Sequence, residues 1–280
     1  MIDTPDDDFL ELDLLEKQNS KPVVILFHGL EGNTKRYYMT RLAREISIRG
    51  YTVAMVNFRG CGDKLNRQRR FYHSGETSDI DTIINWISSQ YPNKPIYSAG
   101  FSLGASVLFN YLKENGKHQP IEKMVAISTP FELKKGSQNL DKGFNKVYSV
   151  RFIKMLVEKL EKKRKYYPDL PNFTGKTLYD FDNQVTAPLH GFRDADDYYD
   201  RCSSYYFMDK IATNSLIIHS KEDPLTPFQW TPVKEIQNNP KLIPCFTEKG
   251  GHVGFWGKPE GWLNKTIADY FDAYESNGRG

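Results

Sequence analysis

Cysteine is scarce: Cys61, Cys202 and Cys245 stand far apart in a chain of 280 residues. That spacing supports neither a disulfide framework nor a thiolate zinc site. No apolar run approaches the ~18–20 residues of a bilayer-crossing helix. The opening Met1-Ile2-Asp3-Thr4-Pro5-Asp6-Asp7-Asp8 is acidic where a secretory signal would be basic and then apolar. An excess of one charge is missing too, with 38 Lys and Arg against 35 Asp and Glu, a net +3 that does not point to nucleic acid. No histidine pair has helical metal-ligand spacing, so no metal is expected. Repeats and low-complexity tracts are absent. The expectation left standing is a soluble globular protein of a reducing compartment, a cytoplasmic enzyme by default.

What is present is an alternation. Short β-branched runs at Val23–Phe27, Thr52–Phe58, Ile96–Ala99, Met124–Ser128, Ser215–His219 and Leu242–Phe246 read as strands buried on both faces. Phe9–Leu15 partly alternates Leu with acid and reads as an edge strand. Between them, Tyr37–Arg49, Thr77–Gln90, Leu103–Glu114, Pro227–Gln237 and Glu260–Ala273 read as helices, and Ser276–Gly280 as a frayed tail. In the second helix Ile80, Ile83, Ile84 and Ile87 make one apolar stripe. This pattern predicts a mostly parallel sheet clothed by helices. It breaks once, from Pro130 to Phe207, where no good strand occurs. There Asn145–Tyr167 reads as a helix with Val150, Ile153, Leu156, Val157 and Leu160 inward and eight Lys or Arg from Lys146 to Lys165 elsewhere. The core is therefore expected at residues 1–129 and 208–280, with 130–207 a helical insertion laid over the sheet as a cap.

The strongest local signal is Gly100-Phe101-Ser102-Leu103-Gly104, a G-x-S-x-G between a strand and a helix. Such a turn holds a serine hydroxyl exposed in a strained conformation, and side chains in place of the glycines would collide with strand and helix. A serine needs a base. His252, in Lys249-Gly250-Gly251-His252-Val253-Gly254 after the last strand, is placed to serve, with Asp223 in the turn after the preceding strand to orient it. The order Ser102, Asp223, His252 is that of α/β-hydrolases. Glu222 is the neighbouring alternative to Asp223, though Pro224 favours the aspartate as turn residue. His219 and His28 read as packed, His118 as solvated, and His73 and His190 as pocket-lining or structural. Oxyanion donors are expected from the backbone N–H of Leu103, directly after the serine, and of Leu30 in the loop after Val23–Phe27.

With these residues assembled, the chain resembles the YheT-like branch of the α/β-hydrolase superfamily, serine hydrolases described as esterases or lipases. The likeness covers nearly the whole chain. His28-Gly29-Leu30-Glu31-Gly32 is similar to the branch's oxyanion loop, and Asn57-Phe58-Arg59-Gly60-Cys61-Gly62 to its N-x-R-G-C-G turn. Asn66-Arg67, Arg70 and Tyr72-His73-Ser74-Gly75-Glu76-Thr77 resemble the stretch that follows. Thr186-Ala187-Pro188-Leu189-His190-Gly191-Phe192 with Asp197-Tyr198-Tyr199 resembles a cap signature, and Asp223-Pro224 and Gly251-His252 the acid and base turns. The resemblance implies an α/β-hydrolase fold with a sheet of about seven strands, helices on its flanks and a helical cap. The chain begins near that branch's acidic strand, without the N-terminal sequence, sometimes a membrane anchor, that members commonly carry, which implies a soluble enzyme.

The expected activity is hydrolysis of a hydrophobic carboxylic ester through a Ser102 acyl-enzyme, without a cofactor. The alternatives are an acyltransferase that passes the acyl group to an alcohol, and a hydrolase-like scaffold that only binds. Phe131, Phe144, Phe152, Phe173, Tyr179, Phe181 and Phe192 offer apolar lining for a small-molecule ester or a core for the cap itself. The basic helix Asn145–Tyr167 reads as a solvated face, with weak peripheral contact to anionic lipid as the alternative. Arg67, Arg69 and Arg70 fit salt bridges with neighbouring acids or a phosphorylated substrate.

Overall fold

The computed structural model describes residues 1–18, 21–256 and 258–273, so the tail expected at Ser276–Gly280 lies outside them. Among the described residues eight strands form one sheet: β1 (Ile2–Thr4), β2 (Asp8–Leu15), β3 (Val23–Phe27), β4 (Thr52–Asn57), β5 (Ile96–Phe101), β6 (Ile121–Ile127), β7 (Asn214–Ser220) and β8 (Leu242–Thr247). Their order is β1-β2-β4-β3-β5-β6-β7-β8. The β1–β2 and β2–β4 pairs are antiparallel and all others parallel. The strand beyond the seven expected is β1, whose three residues carry a single apolar side chain, Ile2. β6 starts three residues earlier than expected because a charged residue hides its beginning. Lys123 is buried in the strand and donates to the Phe271 carbonyl at 2.9 Å.

Successive residues of a strand point to opposite faces of the sheet. In β3, Val23, Ile25 and Phe27 therefore pack with Ile80, Ile83, Ile84 and Ile87 of helix α2 (Ser78–Gln90) and with helix α3 (Leu103–Asn115). Val24 and Leu26 pack on the other side with Met39, Leu42 and Ile46 of helix α1 (Tyr37–Ile48), and with Leu263, Ile267 and Phe271 of the final described helix, Trp262–Asp272. The helix expected over Pro227–Gln237 is instead a 3-10 turn, Phe228–Trp230, and a short helix, Val233–Asn238. Pro232 lacks an N–H and blocks a continuous helix across the join.

Between β6 and β7 every regular element is helical among the described residues, including α4 (Leu133–Leu140), α5 (Lys146–Arg164) and a further helix at Ala195–Cys202. α5 departs from its expected orientation. Leu160 is buried, but Val150 is exposed, and Lys159 and Lys163, expected outside, are buried. Among the described residues no helix is long and apolar enough to cross a membrane.

Arg59, just after β4, organises the antiparallel edge. Its side chain is 1% exposed and meets three carboxylates: Asp79 of α2 at 2.6 Å, Asp8 of β2 at 2.7 Å and Asp6 at 2.9 Å. Burial opposes ionisation of Asp6 and Asp8. Hydrogen bonds from Arg59 to Asp6, and from Asn66 and the Arg67 N–H to Asp8, outweigh it and hold both carboxyls below their ordinary value. The neighbouring arginines are satisfied within the chain: Arg67 by Asp3 and Asp7, Arg69 by Asp169, and Arg70 by Asp6 and Glu76. Replacing Arg59 with alanine would leave Asp8 buried without its ion-pair partner and Asp79 with only Arg70, at a long 3.6 Å. The expected loss is about 3–5 kcal/mol, measured as a lower urea midpoint; an unchanged midpoint would refute this account of the hub.

Candidate active site

β5 runs into α3 through a single residue, Ser102, at φ 52° and ψ −118°. That φ is unfavourable for any residue with a Cβ. Close packing on both sides of the turn holds it there. A Cβ on Gly100 would lie 2.6 Å from the Ala105 nitrogen, and one on Gly104 would lie 2.7 Å from the carbonyl oxygens of Phe27 and His28. Only glycine lets strand, turn and the β3 loop approach so closely. The Ser102 N–H donates to the Ile127 carbonyl at 2.8 Å, which ties the turn to β6.

The loop after β3 passes over this turn. His28 is fully buried, and burial pushes its pKa down to about 3, so the ring is neutral. Its Nδ1 lies 2.7 Å from the Gly29 carbonyl, and its Nε2 accepts from the Phe58 N–H at 3.2 Å, so the proton sits on Nδ1. The ring is thus a brace between two loops. Among the described residues, neither the Leu30 nor the Leu103 N–H donates to another protein group. Both residues border one cavity of about 520 Å³, together with Ser102 and His252.

His252 sits in the loop after β8. Its Nδ1 lies 2.8 Å from Asp223 Oδ2 and 3.1 Å from Oδ1. Asp223 stands behind the cavity wall, buried, and also accepts from the Leu225 N–H at 2.9 Å, the Thr226 N–H at 3.1 Å and the Thr226 hydroxyl at 2.7 Å. Burial alone would raise its pKa; the charge and hydrogen bond of His252 and the Thr226 hydroxyl outweigh it and lower the pKa to about 2. Glu222 is exposed and takes no part. The Ser128 hydroxyl donates to the His252 carbonyl and steadies the loop. Among the described residues no hydrogen bond joins the Ser102 hydroxyl to the His252 ring. Such contacts are commonly long before substrate arrives.

His219 is packed, as expected, with Nε2 2.7 Å from the Thr226 carbonyl. His73 and His190 border the cavity and touch edge to face at 4.6 Å. Of the seven aromatic residues proposed as lining, Phe152 and Phe181 do line it. Phe131 is in the main core, Phe144 is exposed, Phe192 packs with Tyr198 and Tyr199, and Phe173 and Tyr179 pack beside the cores.

Sequence reasoning missed one group at the cavity. Glu31, at φ 51°, receives Lys159 Nζ of α5 at 2.6 Å and the Tyr72 hydroxyl at 2.7 Å. The same hydroxyl accepts from the Glu31 N–H at 2.8 Å, and Lys159 Nζ also lies 3.1 Å from Cys61 Sγ. This buried cluster ties α5 to the loop that carries Leu30. The available signal was positional, since Lys159 and Lys163 occupy places on the helical stripe begun by Leu156, where apolar residues are expected.

Residues 22–259 match the family model for the alpha/beta hydrolase fold. The chain is 35% identical to "Putative esterase YheT" of Escherichia coli, over 98% of its own length and 84% of that protein's. It is 30% identical to a monoacylglycerol lipase of Saccharomyces cerevisiae, over 97% of its own length and 62% of the lipase's. Among solved structures, the Pyrococcus furiosus esterase Pf2001 is similar in fold, with a TM-score of 0.66 at 20% identity, covering 100% of this chain and 90% of that one. A sheet of this order, a serine at the β5–α3 elbow and these matches lead to one conclusion: the chain belongs to the α/β-hydrolase family, in its YheT-like branch.

Proposed function

We propose that this α/β hydrolase is a serine esterase that cleaves hydrophobic carboxylic esters through an acyl-enzyme. Ser102 is the nucleophile, His252 the general base and acid, and Asp223 the group that orients the imidazole; the N–H groups of Leu30 and Leu103 receive the oxyanion. One observation carries the reading. His252 gives its Nδ1 to a buried carboxylate, so Nε2 is the nitrogen left for the cavity that Ser102 borders. Among the described residues neither other cavity histidine hydrogen-bonds a carboxylate: His73 Nε2 is 3.8 Å from Glu76, and His190 Nδ1 is on the Thr186 carbonyl. The relatives named as an esterase and a lipase support the same class.

In this mechanism His252 Nε2 takes the Ser102 proton as Oγ attacks the ester carbonyl. Asp223 stabilises the imidazolium that forms, and it stays ionised throughout. The carbonyl oxygen gains charge and is received by two N–H groups that donate to no other group among the described residues, so little reorganisation is needed. His252 then protonates the leaving alcohol, and the same ring activates water to release the acid. Residues 130–207 act as a cap. From them Leu140, Phe152, Leu156, Phe181 and Val185 give the cavity apolar walls suited to an acyl chain.

Three measurements test this. Ser102→Ala should lower kcat for p-nitrophenyl esters by roughly 10⁶-fold, the scale of losing a serine nucleophile in a protease, with the melting temperature preserved. A fluorophosphonate probe should label Ser102 in the wild type and not in His252→Ala; labelling of another serine, or undiminished labelling without His252, overturns the assignment. Product analysis in added ethanol separates hydrolysis from transfer, because free acid is expected and the ethyl ester would mean an acyltransferase.

The Lys159–Glu31 contact supplies a further prediction. Lys159→Met should lower kcat by on the order of tenfold to a hundredfold, below the full cost of deleting an oxyanion donor, with a much smaller change in KM. A loss confined to KM would deny the positioning role. Asp223 gives a pH prediction. Its folded pKa of about 2 lies below the ordinary 3.8, so its contribution is complete above that ordinary value and is lost as pH falls through about 2. The contribution is worth about 2 kcal/mol. Thermal melts should show Asp223→Asn less stable than wild type at neutral pH, with the gap closing in strong acid.

A further inference from the structure

The first turn of α5 is largely uncovered, since between residues 146 and 151 only Ser149 is buried, while Phe152, Ile153 and residues 155–157 are half-buried. The exposed side chains there are apolar as well as basic. Phe144 is 79% exposed, Val147 60% and Val150 65%, and Trp256, from the His252 loop, is 82% exposed. Trp256 and two neighbours of the others on α5 reach the proposed site. Tyr148, Arg151 and Trp256 border the cavity, and Asn139 and Asn145 each donate to the Pro224 carbonyl at 2.8 Å, which pins the start of α5 beside the Asp223 turn.

Charge on this face is mostly positive; Asp141, just before it, accepts from the Ser149 hydroxyl at 2.8 Å. Residues 142–154 include Lys142, Lys146, Arg151 and Lys154 and no acid. Among the described residues only Lys154 has an ion-pair partner, Glu158 at a loose 3.9 Å. Farther along α5, Lys159 meets Glu31 and Lys163 the Asn66 side chain at 2.7 Å, Arg164 pairs with Glu161, and Lys162 and Lys165 are exposed. Positive charge without an ion-pair partner among the described residues, at Lys142, Lys146 and Arg151, thus lies on the same segment as the exposed apolar side chains.

An acidic protein surface would match the cations but would bury Phe144, Val147, Val150 and Trp256 against polar groups. An anionic lipid surface matches both, with headgroups for Lys and Arg and the acyl boundary for the apolar and indole groups. We propose that residues 142–154 and Trp256 seat the protein on an anionic lipid surface with the cavity entrance turned toward it. Seated so, an ester moves from the bilayer boundary into the cavity past Tyr148 and Trp256 without crossing water.

The test uses the full chain and sedimentation with vesicles of phosphatidylcholine, with or without a third of phosphatidylglycerol. The wild type should bind the anionic vesicles and be released by high salt. Phe144→Ser/Val150→Ser and Lys142→Glu/Lys146→Glu should each weaken binding by on the order of tenfold or more. None of these four residues borders the cavity, so both variants should melt with the wild type and hydrolyse soluble p-nitrophenyl acetate equally well. Absence of wild-type binding, equal binding to neutral vesicles, or variants that bind like the wild type would overturn the proposal. Self-association of the wild type that both variants abolish would assign the face to a second copy instead, and also overturn it. Vesicle binding needs no turnover, so a wild type that binds but cleaves no ester would sink the esterase reading and leave this one standing.

Discussion

A serine held at positive φ is the constraint around which the molecule is arranged. The conformation is costly in isolation, of order 1–3 kcal/mol for such a residue, and it persists because three elements close on it. α3 backs onto Gly100, the β3 loop lies against Gly104, and β6 accepts the Ser102 N–H. Each contact requires neighbouring parallel strands in register, so the β3-β5-β6 centre of the sheet is both the core and the support of the site. The β3 loop that presses on the elbow is also the one that presents the Leu30 N–H. The serine and the proposed oxyanion donor are in this way positioned by one packing arrangement.

Charge buried around that centre has a consistent use. Arg59 gathers carboxylates from β2, α2 and the segment before β2, and so fastens the antiparallel edge to the parallel body. Lys159 does the same for the helical insertion, joining α5 to the loop of Glu31. Buried ion pairs are a poor source of net stability but a good source of uniqueness, because each admits few alternative arrangements. A lysine that must meet one glutamate fixes the register of α5.

Much of the fold was legible because periodicity is a local signal. β3, β5 and β7 are short apolar runs, and the isoleucine stripe of α2 has helical spacing. The elbow was legible because its glycines are required by contact, and Asp223 and His252 because they fall in turns after successive strands. What stayed hidden depends on distant partners. β1 is too short to carry a pattern, Lys123 disguised the start of β6, and a proline divided the helix before β8. Lys159 and Lys163 read as solvent-facing because a lone lysine in sequence does not announce Glu31 or Asn66 on another element. Val150 failed in the opposite sense, since a stripe says which residues share a side and not whether anything covers it.

The two ends of the sheet have a consequence for how the protein behaves in crowded solution. β1 is only three residues long, and β8, which pairs with β7 alone in the sheet, carries Pro244 in its middle. A short strand gives an incoming chain little to align with, and a proline interrupts any continuous new ladder. An interior this rich in β-branched runs would otherwise invite strand-to-strand polymerisation. Blunted at both margins, the sheet stops at eight strands, and the molecule can leave one greasy surface uncovered elsewhere without offering its backbone as a template for fibres.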